Sequence, residues 1–279
     1  MLIDVHIHLS SPELVADRSP CLVGEPGLEA LYADPAAKLV GVEELLADLD
    51  AAGVDKALVM GFPFRREDNA RRFNDWLLAE CARRPGRLLP LAAFDPRAPW
   101  AFKHAEAFLD AGGCGLGELC VYDEGLTPPL LDNLEALGAL CRDRGVPMLV
   151  HVNEPIGHAY PGKAPIETSQ IYELVRRCQR VKLILAHFGG GLPFLASLKK
   201  EVRENLASVR FDTAAMPFLY APQALRLAVD LLGPASFLLG TDYPLLKTAR
   251  YQKYVQDAQL TAEETAVVFG GAAAAFLGL

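Results

Sequence analysis

The feature of the sequence that most constrains its fold is a regular alternation of short apolar runs with longer amphipathic segments. Eight runs of β-strand length occur, and each precedes a segment with helical composition. Most neighbouring runs begin about 30 residues apart, as βα units do. Several runs are continuously apolar, for example residues 183–186 and 237–239, which is typical of a parallel sheet covered by helices. Eight such units predict a closed (β/α)8 TIM barrel that forms one domain over residues 1–279.

The predicted elements follow the apolar periodicity and the Gly and Pro residues that interrupt it. Residues 10–40, rich in Pro, Gly, Asp and Ser, are predicted to be a functional or lid-like loop. The predicted strands are residues 1–9, 54–60, 88–94, 113–122, 147–152, 182–187, 209–213 and 237–241. The predicted helices are residues 42–52, 67–84, 99–111, 129–144, 165–178, 192–205, 222–232, 247–257 and 261–277.

Composition and charge exclude several classes of protein. The net charge of −8 comes without a basic block, so the electrostatic footprint of a nucleic-acid-binding protein is missing. No apolar run reaches the ~18 residues of a membrane helix, and the first residues lack the pattern of a secretory signal. None of the six cysteines forms a C-x-x-C pair, which favours reduced cysteines in a cytoplasmic protein. The apolar C-terminal segment, residues 272–279, could support a homodimer.

The first predicted strand carries two histidines, His6 and His8, separated by one residue. Residues i and i+2 of a strand project from the same face, so both imidazoles can reach one cation. Asp4 has the same parity but lies deeper, and we expect it to orient an imidazole or to satisfy polar groups of the core. The pair alone is a weak signal, and a metal site requires further ligands at the ends of other strands.

Further candidate ligands stand at the ends of four other predicted strands. In a (β/α)8 barrel, catalytic groups lie at the carboxyl ends of the strands. The candidates are Glu118 on strand 4, His151 on strand 5, His187 on strand 6 and Asp242 on strand 8. Four of the six histidines therefore fall at the predicted mouth of the barrel. His104 falls in the middle of a predicted helix, and we expect it to lie on the surface.

Imidazole nitrogens and carboxylate oxygens in one cluster are ligands for a divalent cation. This ligand set suits Zn²⁺, with Mn²⁺, Fe²⁺, Co²⁺ or Ni²⁺ as alternatives. No cysteine joins the set, so we expect an open site in which the cation lowers the pKa of a water molecule from 15.7 toward about 7. Asp242, which precedes the turn Tyr243-Pro244, is the predicted general base.

The loop after strand 5, residues 153–163, carries polar and cationic groups over the predicted mouth. His158, Tyr160 and Lys163 are candidates for binding a small-molecule substrate, because loops on this face carry the function of barrel enzymes. An ordered polar loop without a ligand is the alternative. The three glycines at 189–191 could present free N–H groups to an anion or could form a tight turn.

The ordered set of residues resembles the amidohydrolase superfamily of metal-dependent (β/α)8 hydrolases, and the resemblance covers nearly the whole chain. Residues 3–8, 186–191 and 240–244 are similar to the amidohydrolase 2 branch, which includes aminocarboxymuconate-semialdehyde decarboxylase and lactone hydrolases. The resemblance implies that His187 acts as an acid or base or hydrogen-bonds the metal-bound water. It also implies that one metal is held by His6, His8, His151 and Asp242.

Strand 4 departs from many members of the superfamily, in which a carboxylated lysine bridges two metals. Gly117-Glu118 stands there instead and looks like the bridging glutamate of TatD-type deoxyribonucleases, which leaves open whether one ion or two are bound. The resemblance implies a hydrolase that activates a metal-bound water to attack a C–N or C–O bond, in an amide or lactone, of a small carboxylated substrate. A non-oxidative decarboxylase with the same site is the alternative. The acidic surface and the three glycines disfavour a TatD-like nuclease.

Overall fold

The computed structural model describes residues 1–279, which form eight parallel strands paired in sequence order. They are β1 (Ile3–His8), β2 (Lys56–Met60), β3 (Leu88–Ala92), β4 (Gly115–Leu119), β5 (Pro147–Val150), β6 (Lys182–Leu185), β7 (Arg210–Asp212) and β8 (Phe237–Leu238). The backbone N–H of Val5 donates to the carbonyl oxygen of Leu239 at 2.8 Å, and that of His8 donates to Tyr243 at 2.8 Å. The chain after β8 therefore pairs with β1 and closes the ring, which confirms the predicted barrel.

Helices separate the strands and cover the outside of the barrel. They are α1 (Pro12–Ala16), α2 (Ser19–Leu22), α3 (Pro26–Tyr32), α4 (Val42–Ala52), α5 (Glu67–Ala82), α6 (Ala101–Asp110), α7 (Pro128–Arg144), α8 (Thr168–Arg177), α9 (Ala186–Gly189), α10 (Lys200–Ala207), α11 (Met216–Leu219), α12 (Pro222–Leu232), α13 (Thr248–Asp257), α14 (Ala262–Ala266) and α15 (Ala272–Leu277). None of them is long and apolar enough to cross a membrane.

Two predicted helices are interrupted in the structure. Residues 192–205 form a short 3₁₀ segment, Leu192–Ser197, and then α10, because the backbone of Leu198 leaves the helical region with ψ −134°. The predicted helix 261–277 consists of α14, a π-helical segment Val267–Gly271 and α15. Its break lies at Gly270, where the chain passes against the backbone of residue 1.

β1 contains a bulge that the alternating pattern did not predict. The register between β1 and β2 shifts between Asp4 and Ile7. Val5 belongs to the apolar cluster inside the barrel, whereas Ile7 packs in the larger cluster between strands and helices. Because a bulge changes which face a side chain points to, Asp4 does not share the face of His6. Asp4 lines a cavity beside α4 instead.

The long segment after β1 is a helical cover rather than a loop, because α1, α2 and α3 lie within residues 10–40. The Arg18 guanidinium donates to the carbonyl oxygens of Tyr32, Asp34 and Ala37 at 3.0 to 3.2 Å. Glu25 is buried and accepts hydrogen bonds from the amide N–H groups of residues 65 and 66. These contacts tie the cover to the loop that follows β2.

The prediction of a surface position for His104 is wrong. The His104 side chain is buried and lies edge-on to the rings of Phe94 and Trp100, with centroid distances of 5.7 and 5.6 Å. The His104 Nε2 atom lies 2.8 Å from Asn74 Nδ2 on α5. α6 therefore turns this residue toward its neighbouring helix, which a local sequence pattern does not reveal.

Candidate metal centre

The predicted ligands meet at the carboxyl ends of the strands. His6 and His8 end β1, Glu118 lies in β4, and the other three directly follow or lie close after β5, β6 and β8. Asp242 is partly exposed. The other five are buried, with 0 to 8% of their surface exposed: His6, His8, Glu118, His151 and His187. The polar groups of one end of the barrel thus form a single cluster.

Hydrogen bonds outside the cluster set the tautomer of each histidine. One ring nitrogen of every imidazole lies close to a fixed acceptor outside the cluster that can hold its proton, so the other nitrogen points inward and is bare when the imidazole is neutral. The four contacts are His6 Nδ1 to Asp212 Oδ2 at 2.8 Å, His8 Nδ1 to the Gly61 carbonyl at 2.8 Å, His151 Nε2 to the Gly162 carbonyl at 3.0 Å, and His187 Nδ1 to the Ala214 carbonyl at 3.3 Å.

The inward-facing nitrogens form two close pairs. His6 Nε2 lies 3.2 Å from His8 Nε2, and His151 Nδ1 lies 3.2 Å from His187 Nε2. Two lone pairs at this distance repel each other unless a proton or a cation lies between them. Two ligands that are each about 2.1 Å from one ion, at an angle near 100°, lie about 3.2 Å apart. The donor set therefore fits a divalent cation.

Glu118 lies between the two pairs of histidines. Its Oε1 atom is 3.0 Å from His151 and 3.3 Å from His187, and its Oε2 atom is 3.7 Å from His8. Two groups of three potential ligands share this carboxylate, His6 with His8 and His151 with His187. The assignment of His151 to the same ion as His6 and His8 stays a prediction, as does the number of ions.

The two oxygens of Asp242 have different surroundings. The Oδ1 atom is 3.6 Å from His6 Nε2 and 3.4 Å from His8 Nε2, so it can join them as a ligand. The Oδ2 atom is turned toward His187 Nδ1, at 4.0 Å. One carboxylate can thus face a cation through one oxygen and the His187 imidazole through the other.

The charges of the cluster are strongly coupled. Burial by itself would lower the pKa of His6, but the carboxylates of Asp212, Glu118 and Asp242 outweigh it and raise this pKa to about 10. Burial would likewise lower the pKa of His187, but the hydrogen bond to Glu118 and the charge of Asp242 raise it to about 9. Without a metal, the imidazoles of His6 and His187 hold protons that balance the carboxylates. A divalent cation would compensate the same negative charges and release those protons.

Asp212, at the end of β7, is a functional candidate that the sequence reasoning missed. The Asp212 side chain is fully buried, and its Oδ2 atom accepts a hydrogen bond from His6 Nδ1–H. The role of orienting an imidazole therefore belongs to Asp212. Asp4 instead accepts hydrogen bonds from the backbone of His6 and from Thr241. The sequence contained one signal for this residue, because Asp212 is acidic and lies near the end of the predicted seventh strand.

Two of the cluster residues have strained backbones. His187 and Asp242 have φ values of 52° and 58°, in the left-handed region that non-glycine residues seldom adopt. Such strain is concentrated at functional sites and requires support from the surrounding structure. The backbone N–H of His187 donates to Asp212 Oδ1 at 2.9 Å, and that of Asp242 donates to the His6 carbonyl at 3.0 Å.

The predicted substrate-binding side chains have unequal surroundings. Lys163 Nζ and the Tyr160 hydroxyl both donate to the carboxylate of Glu154, each at 2.9 Å. His158 is exposed. The Lys163 ammonium is therefore paired within its own loop. A Cβ atom on Gly190 would lie 2.5 Å from the carbonyl oxygen of Asn153, so this glycine allows close contact with the same loop, in agreement with a tight turn.

Comparison with known proteins agrees with this architecture. A family model described as amidohydrolase matches residues 3–279. No curated protein sequence matches the chain. The 5-carboxyvanillate decarboxylase of Sphingomonas paucimobilis is 19% identical with a TM-score of 0.73, over 100% of this chain and 99% of that one. The corresponding enzyme of Novosphingobium aromaticivorans, solved with manganese and 4-hydroxy-3-methoxy-5-nitrobenzoic acid, is 16% identical with a TM-score of 0.74, over 100% and 96%.

A Pseudomonas putida protein assigned as a 2-pyrone-4,6-dicarboxylic acid hydrolase is 16% identical with a TM-score of 0.65, over 99% of this chain and 97% of that one. At these identities the structural likeness establishes the fold alone. The family match spans nearly the whole sequence, and it confirms the resemblance that the strand-end residues had indicated. The chain belongs to the amidohydrolase family.

Proposed function

We propose that the protein is a metal-dependent, non-oxidative decarboxylase of a hydroxylated aromatic acid. The observation that carries this proposal is the cluster of inward-facing imidazole nitrogens and carboxylate oxygens at the barrel mouth. Its support for decarboxylation comes from the 5-carboxyvanillate decarboxylases, which match the whole length of the chain in fold. This ranks decarboxylation above the hydrolysis that the sequence resemblance implied.

The cation-binding residues in this proposal are His6 and His8 with Asp242 Oδ1, and Glu118 lies beside them. A bound divalent cation would supply a Lewis acid that holds and polarises the oxygens of the substrate. Zn²⁺ was the ion expected from the ligand types, whereas a matching fold was solved with manganese. Both ions belong in the test. Glu118 with His151 and His187 could hold a second one.

Decarboxylation requires one proton at the carbon that loses its carboxylate. The C–C bond breaks, its electron pair stays on the ring carbon, that carbon takes up a proton, and CO₂ leaves. Asp242 Oδ2 and His187 are the proposed proton-holding groups, because they face each other at the edge of the cluster and Asp242 is partly exposed. This assignment uses both residues that the sequence indicated as catalytic.

A metal-dependent hydrolase of a lactone or amide is the second candidate. The observation that favours it is the fold match to the assigned 2-pyrone-4,6-dicarboxylic acid hydrolase. The same cluster can serve it, with water as the nucleophile and Asp242 Oδ2 as general base. The two candidates differ in their products, because only decarboxylation releases CO₂ without incorporating water into an acid.

The test begins with metal-depleted protein reloaded with Mn²⁺ or Zn²⁺ and incubated with a panel of hydroxybenzoates and a panel of lactones and amides. We expect CO₂ release from a hydroxybenzoate that depends on the metal. Lactone or amide hydrolysis without CO₂ release would replace the first candidate by the second. Replacing His6 and His8 together by Ala should remove the ion that they hold and so lower the bound metal found by elemental analysis, while His158→Ala, on an exposed loop residue, should retain it. Undiminished metal in the double variant would refute the site.

A further inference from the structure

The helical cover after β1 places an aromatic residue near the metal centre, one side chain away from His8. Tyr32, the last residue of α3, is half-buried and lies edge-on to Phe62, with a centroid distance of 4.6 Å. Phe62 in turn stacks on the imidazole of His8, at 5.2 Å and with an interplanar angle of 10°. A continuous aromatic contact therefore runs from the cover to a candidate metal ligand.

The backbone around Tyr32 is fixed on two sides. The Arg18 guanidinium donates to the Tyr32 carbonyl at 3.2 Å. At the other end of α3, Gly27 lies so close to the ring of Tyr122 that a Cβ atom there would be 2.9 Å from Tyr122 Cδ2. Tyr122 itself packs edge-on against His151 at 5.3 Å. The cover thus spans the mouth from His8 on one side to His151 on the other.

Three basic side chains close to the mouth are already paired. Lys163 binds Glu154, and both side chains are largely shielded, with 12% and 17% exposed. Arg97, after β3, binds Asp95 at 2.7 Å. Arg18 is occupied by backbone carbonyls. These three cations are not free, so an anionic substrate on this side of the mouth would gain from a neutral hydrogen-bond donor in addition to a metal.

The Tyr32 hydroxyl is such a donor. It forms no hydrogen bond with another protein group, whereas Tyr160 and Tyr243 each donate to a carboxylate. Burial, together with the charges of Asp242 and Glu118, raises the pKa of Tyr32 above its ordinary value. The phenol therefore keeps its proton at neutral pH and can donate it in a hydrogen bond.

We propose that the Tyr32 hydroxyl binds an anionic oxygen of an aromatic acid held at the metal centre, with Phe62 as the apolar wall for the ring. This inference rests on the proposed function and names the donor that would determine its preference for an anion. The hydroxyl would donate to the carboxylate or phenolate oxygen that the metal does not hold. Tyr32 is thus a substrate-binding residue supplied by the cover rather than by a strand.

The test uses salicylate and its neutral counterpart salicylamide as probes, titrated calorimetrically into the full-length, metal-loaded protein. Tyr32→Phe keeps the ring and removes only the hydroxyl. We expect it to weaken salicylate binding about 10- to 100-fold, the range for a hydrogen bond to a charged group, and to change salicylamide binding little. Tyr172→Phe is the matched control, because the Tyr172 hydroxyl binds Asn205 on the outer helices, and it should bind both probes like the parent protein.

The inference is overturned if Tyr32→Phe binds salicylate as the parent does, or if it loses both probes equally, which would indicate a structural role. It is also overturned if the parent protein binds no salicylate. Binding of salicylate that depends on Tyr32, without any CO₂ release from the hydroxybenzoate panel, would refute the proposed decarboxylation and leave this inference standing. Circular dichroism of both variants establishes that the barrel is folded.

Discussion

Replacing Asp212 by Asn should weaken metal binding although Asp212 is not itself a proposed ligand. Asp212 Oδ1 accepts hydrogen bonds from the backbone N–H groups of His187 and Ala214, at 2.9 and 3.0 Å. An Asn side chain must keep its oxygen at that position, which places its NH₂ group against His6 Nδ1. Two donors then face each other. His6 can relieve this contact only by moving its proton to Nε2, the atom that faces the ligand cluster.

The expected loss of metal affinity follows from the hydrogen bond that the substitution removes. The His6–Asp212 contact is 2.8 Å long, fully buried and joins an imidazole to a carboxylate, and bonds of this kind contribute about 1.5 to 3 kcal/mol. Loss of such an orienting partner typically costs about 10- to 100-fold in metal affinity. The assay is the dissociation constant for Mn²⁺ or Zn²⁺, measured by competition with a chelating dye, with circular dichroism to verify the fold.

Asp4→Asn provides the matched control. Asp4, like Asp212, accepts two backbone hydrogen bonds through Oδ1, but its Oδ2 atom faces a hydroxyl group instead of an imidazole. Asp4 Oδ1 accepts hydrogen bonds from the backbone N–H groups of His6 and Thr241, and Asp4 Oδ2 accepts from the Thr241 hydroxyl at 2.6 Å. A hydroxyl can rotate and accept a hydrogen bond from the new NH₂ group, so metal affinity should change less than threefold. Parent-like affinity in Asp212→Asn, or an equal loss in both variants, would refute the tautomer argument.

Two further predictions concern stability. Gly270→Ala should lower the free energy of unfolding in urea by about 3 kcal/mol, because the added Cβ would lie 2.0 Å from the carbonyl oxygen of Met1. Gly271→Ala, with its nearest atom at 3.4 Å, should change it by less than about 1 kcal/mol, and equal effects would contradict this packing. Burial, with the nearby charge of Arg71, lowers the pKa of His104, so its contribution to stability is complete above about pH 6.5 and is lost progressively as the pH falls below it. The unfolding free energy of His104→Gln should therefore fall less between pH 7 and pH 5 than that of the parent, and parallel pH profiles would show that His104 is not the titrating group.

The helical cover illustrates why part of the candidate site escaped prediction. Its segment has no long apolar periodicity, so it was expected to be a loop, whereas Arg18 and Glu25 organise it through contacts with distant backbone groups. The position of Tyr32 depends on those contacts, and no local pattern reports them. The pairing of Lys163 with Glu154 was hidden for a similar reason, because composition shows a cation but not its partner.

The sequence by itself determined the barrel and the six residues at its mouth. Apolar runs at regular spacing impose parallel strands, and parallel strands bring their carboxyl ends to one edge, so His6, His8, Glu118, His151, His187 and Asp242 had to converge. Only the tertiary structure decided which neighbouring groups orient these side chains and set their tautomers. The bulge in β1 separates Asp4 from His6, and the bond from His6 to Asp212, 206 residues away, sets the tautomer. Both depend on contacts between residues far apart in the chain, which only the closed barrel brings together.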